Sequence, residues 1–460
     1  MKKSTKSYLH YLKLLLVMLL ILNMTSCKKY LMEKSNSALV VPMNLNDFQS
    51  ILDDAGYMNF QLTPSFGEAS SDDYFLLPEV YNSMGERERY IYTWKPYDYY
   101  FQNDWSINYF PVYNANLSLE GLQNIPQTEA NKLAWNNVKG SALFFRAYSF
   151  LNLVWVFAKA YDEDSYKEDL GIALRLESDF NVPSVRSSVK DCYERIITDA
   201  TEASLYLPEF SQHPMRPSQA AAFGLLARTY LSMRMYDSAL KYSDKCLKIK
   251  STLMDFNSSP EVDVNNWISF QPFNSETIFY SEMNSSISCH ASYQALIDTT
   301  LYSSYDSNDL RKTAYFSPTG NYFLFRGNYS GDAYSFFSGI ATDEMFLTRA
   351  ECYARTGNID SALADLNGLL SFRWRKNNFT PLSATSPEEA LRIILKERRK
   401  ELLMRGLRWA DIKRLNKEGV NIILHRVIDN QVITLPPNDE YYALPLPIDI
   451  INANPKMQQN

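Results

Sequence analysis

Apolar positions recur at three- and four-residue steps over several long stretches of this chain. Leu143, Ala147, Leu151 and Val154 form one such stripe, inside a helical pattern that runs from Trp105 to about Tyr161. Similar patterns cover Val189 to Leu207, closed by Pro208, then Ser218 to about Lys250, and Asp343 to Ser371. A last helix is expected from Ser386-Pro387-Glu388-Glu389. Here Ser supplies the N-cap, Pro sits in the first turn and Glu lies three after the Ser, as in a capping box. Residues 28–60 read as a leading segment with one short helix around Leu45 to Ala55, and residues 61–110 as loop-rich and aromatic. Residues 251–340 lose periodicity and fill with Ser, Asn, Gly and Tyr, the pattern of a loop-rich insertion with short strands. The expected fold is mainly α.

One spacing occurs twice. Ala227-x2-Tyr230-x8-Ala239 matches Ala350-x2-Tyr353-x8-Ala362, with Gly357 at the turn of the second copy. This resembles the tetratricopeptide repeat, in which small residues let two helices approach and an aromatic fills the groove. TPR-like helices are therefore expected over about 105–250 and 343–415. The two copies lie too far apart in sequence for a simple tandem array.

The chain opens with Lys2, Lys3, Lys6 and Lys13, then nine apolar residues from Leu14 to Leu22, then Met24-Thr25-Ser26-Cys27. This is the order of a secretory signal. The apolar run is about half of the roughly 20 residues a spanning helix needs. A Cys directly after two small residues resembles a bacterial lipobox, so residues 1–26 are expected to be a signal peptide, Cys27 the acylated first mature residue, and 27–460 a single domain.

Charge and composition narrow the function. The formal net charge is −6, with no basic excess for a nucleic-acid partner. Glycine is scarce at 15 residues, which argues against a glycine-rich phosphate-binding fold. Cys192, Cys246, Cys289 and Cys352 sit without close spacing and read as unpaired buried thiols. No HExxH or CxxC occurs, and Asp306-x-Asn308-Asp309 lacks the rest of a calcium loop, so no metal or cofactor is assigned. Asp72 with Asp73, or Asp306 with Asp309, could in principle supply the two carboxyls of a glycoside hydrolase, but adjacent acids in loops are commonplace and no catalytic residue is assigned.

Several segments together resemble the RagB/SusD family of outer-membrane nutrient-binding lipoproteins. They are Cys27-Lys28-Lys29-Tyr30-Leu31; Tyr109, Tyr113 and Asn116; Arg146-Ala147-Tyr148; Arg186-Ser187-Ser188-Val189; and Leu226-Ala227-Arg228-x-Tyr230-Leu231. The C-terminal part is the most specific: Glu397-Arg398-Arg399-Lys400-Glu401-Leu402, Gly406, Arg408, Asp411 and Arg414, then Pro445-Leu446-Pro447 and Asn454-Pro455. Arg405 and Ile450 depart from the family pattern, each standing where an acid is usual. The resemblance implies a TPR-like scaffold with a loop-rich insertion, and a lipid-anchored protein of the outer membrane facing outside. It implies glycan capture for a SusC-like TonB-dependent transporter, with no bond made or broken. Peptides or another non-sugar nutrient on the same scaffold is the alternative.

A sugar offers apolar C–H faces to flat rings and hydroxyls to amides and guanidinium groups. Aromatics make up 14% of the chain, and they are dense in two places. The candidate ligand-binding residues are Trp94, Tyr97, Tyr99 and Tyr100 in the first, and Trp267, Tyr322, Arg326 and Tyr329 in the second. Trp94 and Tyr329 stand out, because Lys, Pro, Gly and Asn flank them. The charged C-terminal residues Arg398, Glu401, Arg408, Asp411 and Arg414 are expected to form ion pairs tying the last helices to the repeats.

Replacing Cys27 with Ser is expected to move the protein from the membrane to the soluble fraction on cell fractionation. Retention of the Cys27→Ser variant in membranes would contradict the lipobox reading.

Overall fold

The computed structural model describes residues 41–460. The segment expected to be a signal peptide and the expected lipidation site, Cys27, lie outside the described residues. The longer helices are α1 (Leu45–Leu52), α2 (Asp104–Leu122), α3 (Lys132–Phe157), α4 (Val189–Tyr206), α5 (Gln219–Ser232), α6 (Tyr236–Ile249), α7 (Thr342–Arg355), α8 (Ile359–Ser371), α9 (Pro387–Glu401) and α10 (Arg408–Asn416). The strands are short: β1 (Tyr74–Phe75), β2 (Leu170–Ala173), β3 (Arg186–Ser188), β4 (Thr277–Phe279), β5 (Leu296–Ile297), β6 (Phe316–Thr319), β7 (Tyr322–Phe325), β8 (Ile340–Ala341), β9 (Leu424–Ile428) and β10 (Gln431–Leu435). The fold is mainly α with small strand insertions.

Each helix from α2 to α8 packs on the next, and α9 lies against α7. The stretch expected to be helical from Trp105 to Tyr161 is two helices, divided by a connector containing Pro126. By length and composition α3 could cross a membrane, but its most apolar stretch is wholly buried in protein. Arg146, midway along α3, joins three helices: it donates to both Asp199 oxygens of α4 (2.7 and 2.9 Å) and to Asn116 of α2 (2.9 Å).

The two TPR-like pairs are neighbours in space, because α6 packs directly on α7. The intervening residues are an excursion from one continuous helical array. Ala227, Ala239, Ala350 and Ala362 are fully buried, and Leu231, Ala239 and Cys352 form one small apolar cluster joining α5, α6 and α7. Both hairpins turn through a left-handed residue at the same place, Gly357 (φ +81°) in one and Arg234 (φ +63°) in the other. Glycine adopts this conformation without steric cost. Arg234 is held there as its guanidinium donates to the Tyr161 carbonyl (2.7 Å).

At the start of α9 the Ser386 hydroxyl accepts from the Glu389 amide (3.2 Å), as expected. The reciprocal half of the capping box is displaced by one residue, since the Glu389 carboxylate accepts from the amide and hydroxyl of Thr385 (both 2.8 Å). The far end of α9 is an ionic hub. Arg311, with no exposed surface, donates to Asp309 (2.9 and 2.7 Å), Glu397 (2.6 Å) and Glu401 (2.9 Å). Arg373, equally buried, donates to Glu401 (2.7 Å) and Glu276 (2.8 and 3.0 Å). Lys400 reaches Glu397 (2.8 Å) and Asp309 (3.3 Å).

The expected C-terminal ion pairs are present, with one change of partner. Arg398 and Arg414 both donate to Asp411 (2.8 Å each), and Arg414 also grips Glu351 of α7 (2.5 and 2.8 Å). Arg408 reaches past the repeats to Asp72 (2.6 and 2.8 Å), while Arg399 donates to Asp73 (2.9 Å). The last helices therefore also clamp the loop-rich stretch that precedes α2. The four described cysteines are free and buried.

Asp104, fully buried at the start of α2, accepts from the amides of Ser65 (2.6 Å) and Phe66 (2.7 Å) through one oxygen, while its other oxygen has no hydrogen-bond partner among the described residues. Burial pushes its carboxyl up to about 7. Burial, aided by the Asp73 charge, pushes Glu68 up to about 8.

These groups set the stability of the fold in ways that can be measured. Replacing Arg311 with Ala leaves three buried carboxylates without their shared cation and should cost about 3–5 kcal/mol in denaturant unfolding; a loss below about 1 kcal/mol would show that the hub is not a structural constraint. For Asp104 the folded chain keeps a proton that the unfolded chain releases above about pH 4, so its contribution is full below that pH and is lost as pH rises through about 7. Asp104→Asn retains an acceptor for the two amides and removes the titration. Its melting temperature should therefore fall less than that of the wild type between about pH 5 and pH 8. Parallel curves would refute the assignment.

Candidate functional site

The excursion between α6 and α7 carries a four-stranded antiparallel sheet in the order β1-β5-β7-β6. Strand β1 comes from the loop-rich stretch before α2, directly after the Asp72 and Asp73 that α9 and α10 clamp, and pairs Tyr74 with Ile297 and Phe75 with Leu296. The sheet is thus tied to the helical array through charge.

Residues 328–337 follow β7 and form a loop built around one side chain. The buried Asn328 amide nitrogen donates to the carbonyls of Asp332 (2.6 Å) and Ser335 (3.0 Å), and its oxygen accepts from the Phe337 amide (2.9 Å). Asp332 accepts in turn from the amides of Tyr334 (2.6 Å) and Ser335 (2.9 Å). Gly331 takes a left-handed φ of +72°, and a Cβ there would lie 2.7 Å from a Pro272 ring carbon. The Tyr329 hydroxyl donates to Glu276 of the ionic hub (2.9 Å), and the Arg405 guanidinium lies 3.8 Å from the centre of its ring. Arg405 also pairs with Asp343 (2.8 Å), which accounts for a cation at a position where the family pattern has an acid.

This loop presents Tyr334, 63% exposed, toward Tyr293, 50% exposed, with ring centres 5.8 Å apart and planes at 53°. The segment bearing Tyr293 is held by Glu88, which accepts from the Ser288 amide (2.9 Å) and hydroxyl (2.7 Å). Nearby, His290 packs on Phe336 (5.4 Å between ring centres). Burial pushes His290 down to about 4, so it is neutral near pH 7, and its Nδ1 has no partner among the described residues. The pair is an open aromatic platform on two braced loops. Among the described residues no cluster of three or more His, Cys, Asp or Glu could hold a metal, and Asp309 is engaged by Arg311.

The sequence-derived candidates fall into three groups. Trp94, Tyr97, Tyr99 and Tyr329 are buried, which corrects the accessibility expected of them. Trp94 donates to the Ser70 carbonyl (2.9 Å), Tyr99 to that of Pro445 (2.7 Å), and Tyr97 and Tyr99 pack on Phe66. Tyr100 and Trp267 are largely exposed, and Tyr322 is half-buried against Phe75. Arg326 donates to the carbonyls of Asn266 (3.3 Å) and Thr313 (2.7 Å), which brings it beside the Trp267 loop. Among the described residues no ring contact joins the first aromatic patch to the second. Tyr293 escaped notice because it stands alone between Ser292 and Gln294, outside any dense patch.

Comparison with known proteins places the fold. Residues 28–231 match a family model described as "Starch-binding associating with outer membrane", and residues 342–460 match the SusD family model. The chain belongs to the RagB/SusD family. The matches flank residues 232–341, the stretch that holds both platform tyrosines. Among solved structures, a putative sugar binding protein from Bacteroides vulgatus is similar at 21% identity, with 92% of this chain and 99% of that chain covered and a TM-score of 0.73. A SusD superfamily protein from Bacteroides thetaiotaomicron matches at 22% identity over 91% and 99% of the two chains, TM-score 0.73. A SusD-like carbohydrate binding protein from Bacteroides fragilis matches at 17% identity over 90% and 99%, TM-score 0.67. No curated protein sequence matches the chain.

Proposed function

We propose that this SusD-like chain is a lipoprotein of the outer membrane, anchored through Cys27 and facing outside, that captures a glycan and passes it to a SusC-like TonB-dependent transporter. The observation that carries the binding part is the Tyr293–Tyr334 pair, two largely exposed rings facing each other on loops that the fold braces from beneath. Tyrosine gives a sugar an apolar ring face and a hydroxyl tip. Because both loops are already ordered, little conformational entropy is lost on binding. The family match, and relatives described as sugar- or carbohydrate-binding proteins, support a glycan as cargo. The action is capture and release. Three of the four carboxylates considered for hydrolysis are held by cations, Asp72 and Asp73 by Arg399 and Arg408, and Asp309 by Arg311.

The test is affinity electrophoresis against neutral plant, host and microbial polysaccharides. The wild type should be retarded by at least one of them. Tyr293→Ala/Tyr334→Ala should weaken that retardation by about tenfold or more, the loss of one central aromatic contact, with an unchanged melting temperature, since both rings are largely exposed. No retardation of the wild type, or equal retardation of both, would overturn the reading.

A further inference from the structure

A cavity of about 720 Å³ lies on the helical array, between α1, the first turns of α3 and the segment after α4. Its size falls within the roughly 300–1,000 Å³ of small-molecule sites. Its polar wall is made of carboxamides: Asn46, Gln49, Asn136, Asn137 and Gln212. Some of their atoms are engaged, with Asn137 donating to Gln49 (2.7 Å), Gln127 to Asn136 (2.6 Å) and Arg216 to Gln212 (2.7 Å). Among the described residues, the Asn136 amide nitrogen, the Asn137 oxygen, the Gln212 nitrogen and the whole Asn46 side-chain amide remain without a protein partner. The facing wall is apolar, with Leu133 and Phe210 at the rim, 86% and 62% exposed. The charged lining residue, Arg216, is neutralised by Asp53.

We infer that this cavity is a second ligand site, for one neutral saccharide unit. An amide both donates and accepts, as a sugar hydroxyl does, so a wall of amides that keeps several donor and acceptor atoms unpaired among the described residues matches a polyhydroxylated ring. The apolar rim receives the C–H face of the ring. With its one cation paired, the site has no charge to select an anion. It shares no residue with the Tyr293–Tyr334 platform and does not depend on it.

Saturation-transfer NMR on the purified protein with methyl α-D-glucopyranoside, methyl α-D-mannopyranoside and methyl β-D-galactopyranoside tests this. At least one glycoside should give a signal that survives in Tyr293→Ala/Tyr334→Ala. That signal should drop at least about fivefold, on the order of 1 kcal/mol of binding, in Ala134→Trp, which fills the cavity from an exposed position, and in Asn46→Ala/Phe210→Ala, which removes its contacts. Thermal melts would establish that both variants fold. The inference is overturned if no glycoside gives a signal, if none survives the tyrosine variant, or if both cavity variants bind as the wild type does. Failure of the platform leaves a different trace, since it appears as polysaccharide retardation indifferent to the tyrosine substitutions.

Discussion

Arg311 is completely buried among three carboxylates, and the placement of remote parts of the chain follows from that arrangement. Charges removed from water are costly, and a buried ion pair is seldom more stabilising than a well-packed apolar substitute. What such a hub supplies is intolerance of error. If the insertion slid by one position against α9, Asp309, Glu276, Glu397 or Glu401 would lose its cation and remain charged in a dry interior. The alternating run Glu397-Arg398-Arg399-Lys400-Glu401 sends successive residues in different directions around one helix end. Glu397 and Glu401 face the insertion, Arg398 faces Asp411, and Arg399 faces the stretch before α2. One turn and a half of helix thus sets the mutual position of three distant stretches.

The loop that carries Tyr334 inherits its order from this hub. Arg373 holds Glu276, Glu276 accepts from Tyr329, and Tyr329 adjoins Asn328, whose amide organises the loop that carries Tyr334. Arg405 closes the path from the other side by lying over the Tyr329 ring while pairing with Asp343 at the start of α7. A loop with its polar backbone groups satisfied internally and its base fixed by charge has few conformations to lose on meeting a ligand. Fully buried ionic chemistry is in this way connected to an exposed aromatic side chain, Tyr334.

Much of the scaffold was legible in the sequence, because helix periodicity and small-residue spacing report local rules. The repeated Ala-x2-Tyr-x8-Ala spacing identified two helical pairs, but not that they touch; that depends on α6 meeting α7 across an excursion of about ninety residues. The site was far less legible. An aromatic in a loop can serve as a ligand platform or as the plug that makes the loop stable, and its sequence neighbours look alike in both cases. Trp94 and Tyr329 are plugs, each spending its polar atom inside the protein, whereas Tyr100, one residue beyond the buried Tyr99, is exposed. Tyr293 carries no local signal at all, since its role comes from facing Tyr334 across the fold.

The helical array and its excursion differ in how they are held, and this bears on what a long polymer would meet. The array is joined by apolar stripes and by single bridging cations such as Arg146, while the excursion is joined to it by the hub and by β1. If both were flexible, two weak sites on them would act independently. If the platform and the amide-lined cavity both take saccharide units of one polysaccharide, the second encounter becomes effectively intramolecular once the first unit is bound. The gain exists only for chains long enough to span the two sites, so short oligosaccharides would experience each site alone. Two modest, uncharged sites of this kind would favour polymer over fragment without requiring either site to be tight, in keeping with the proposed capture and release.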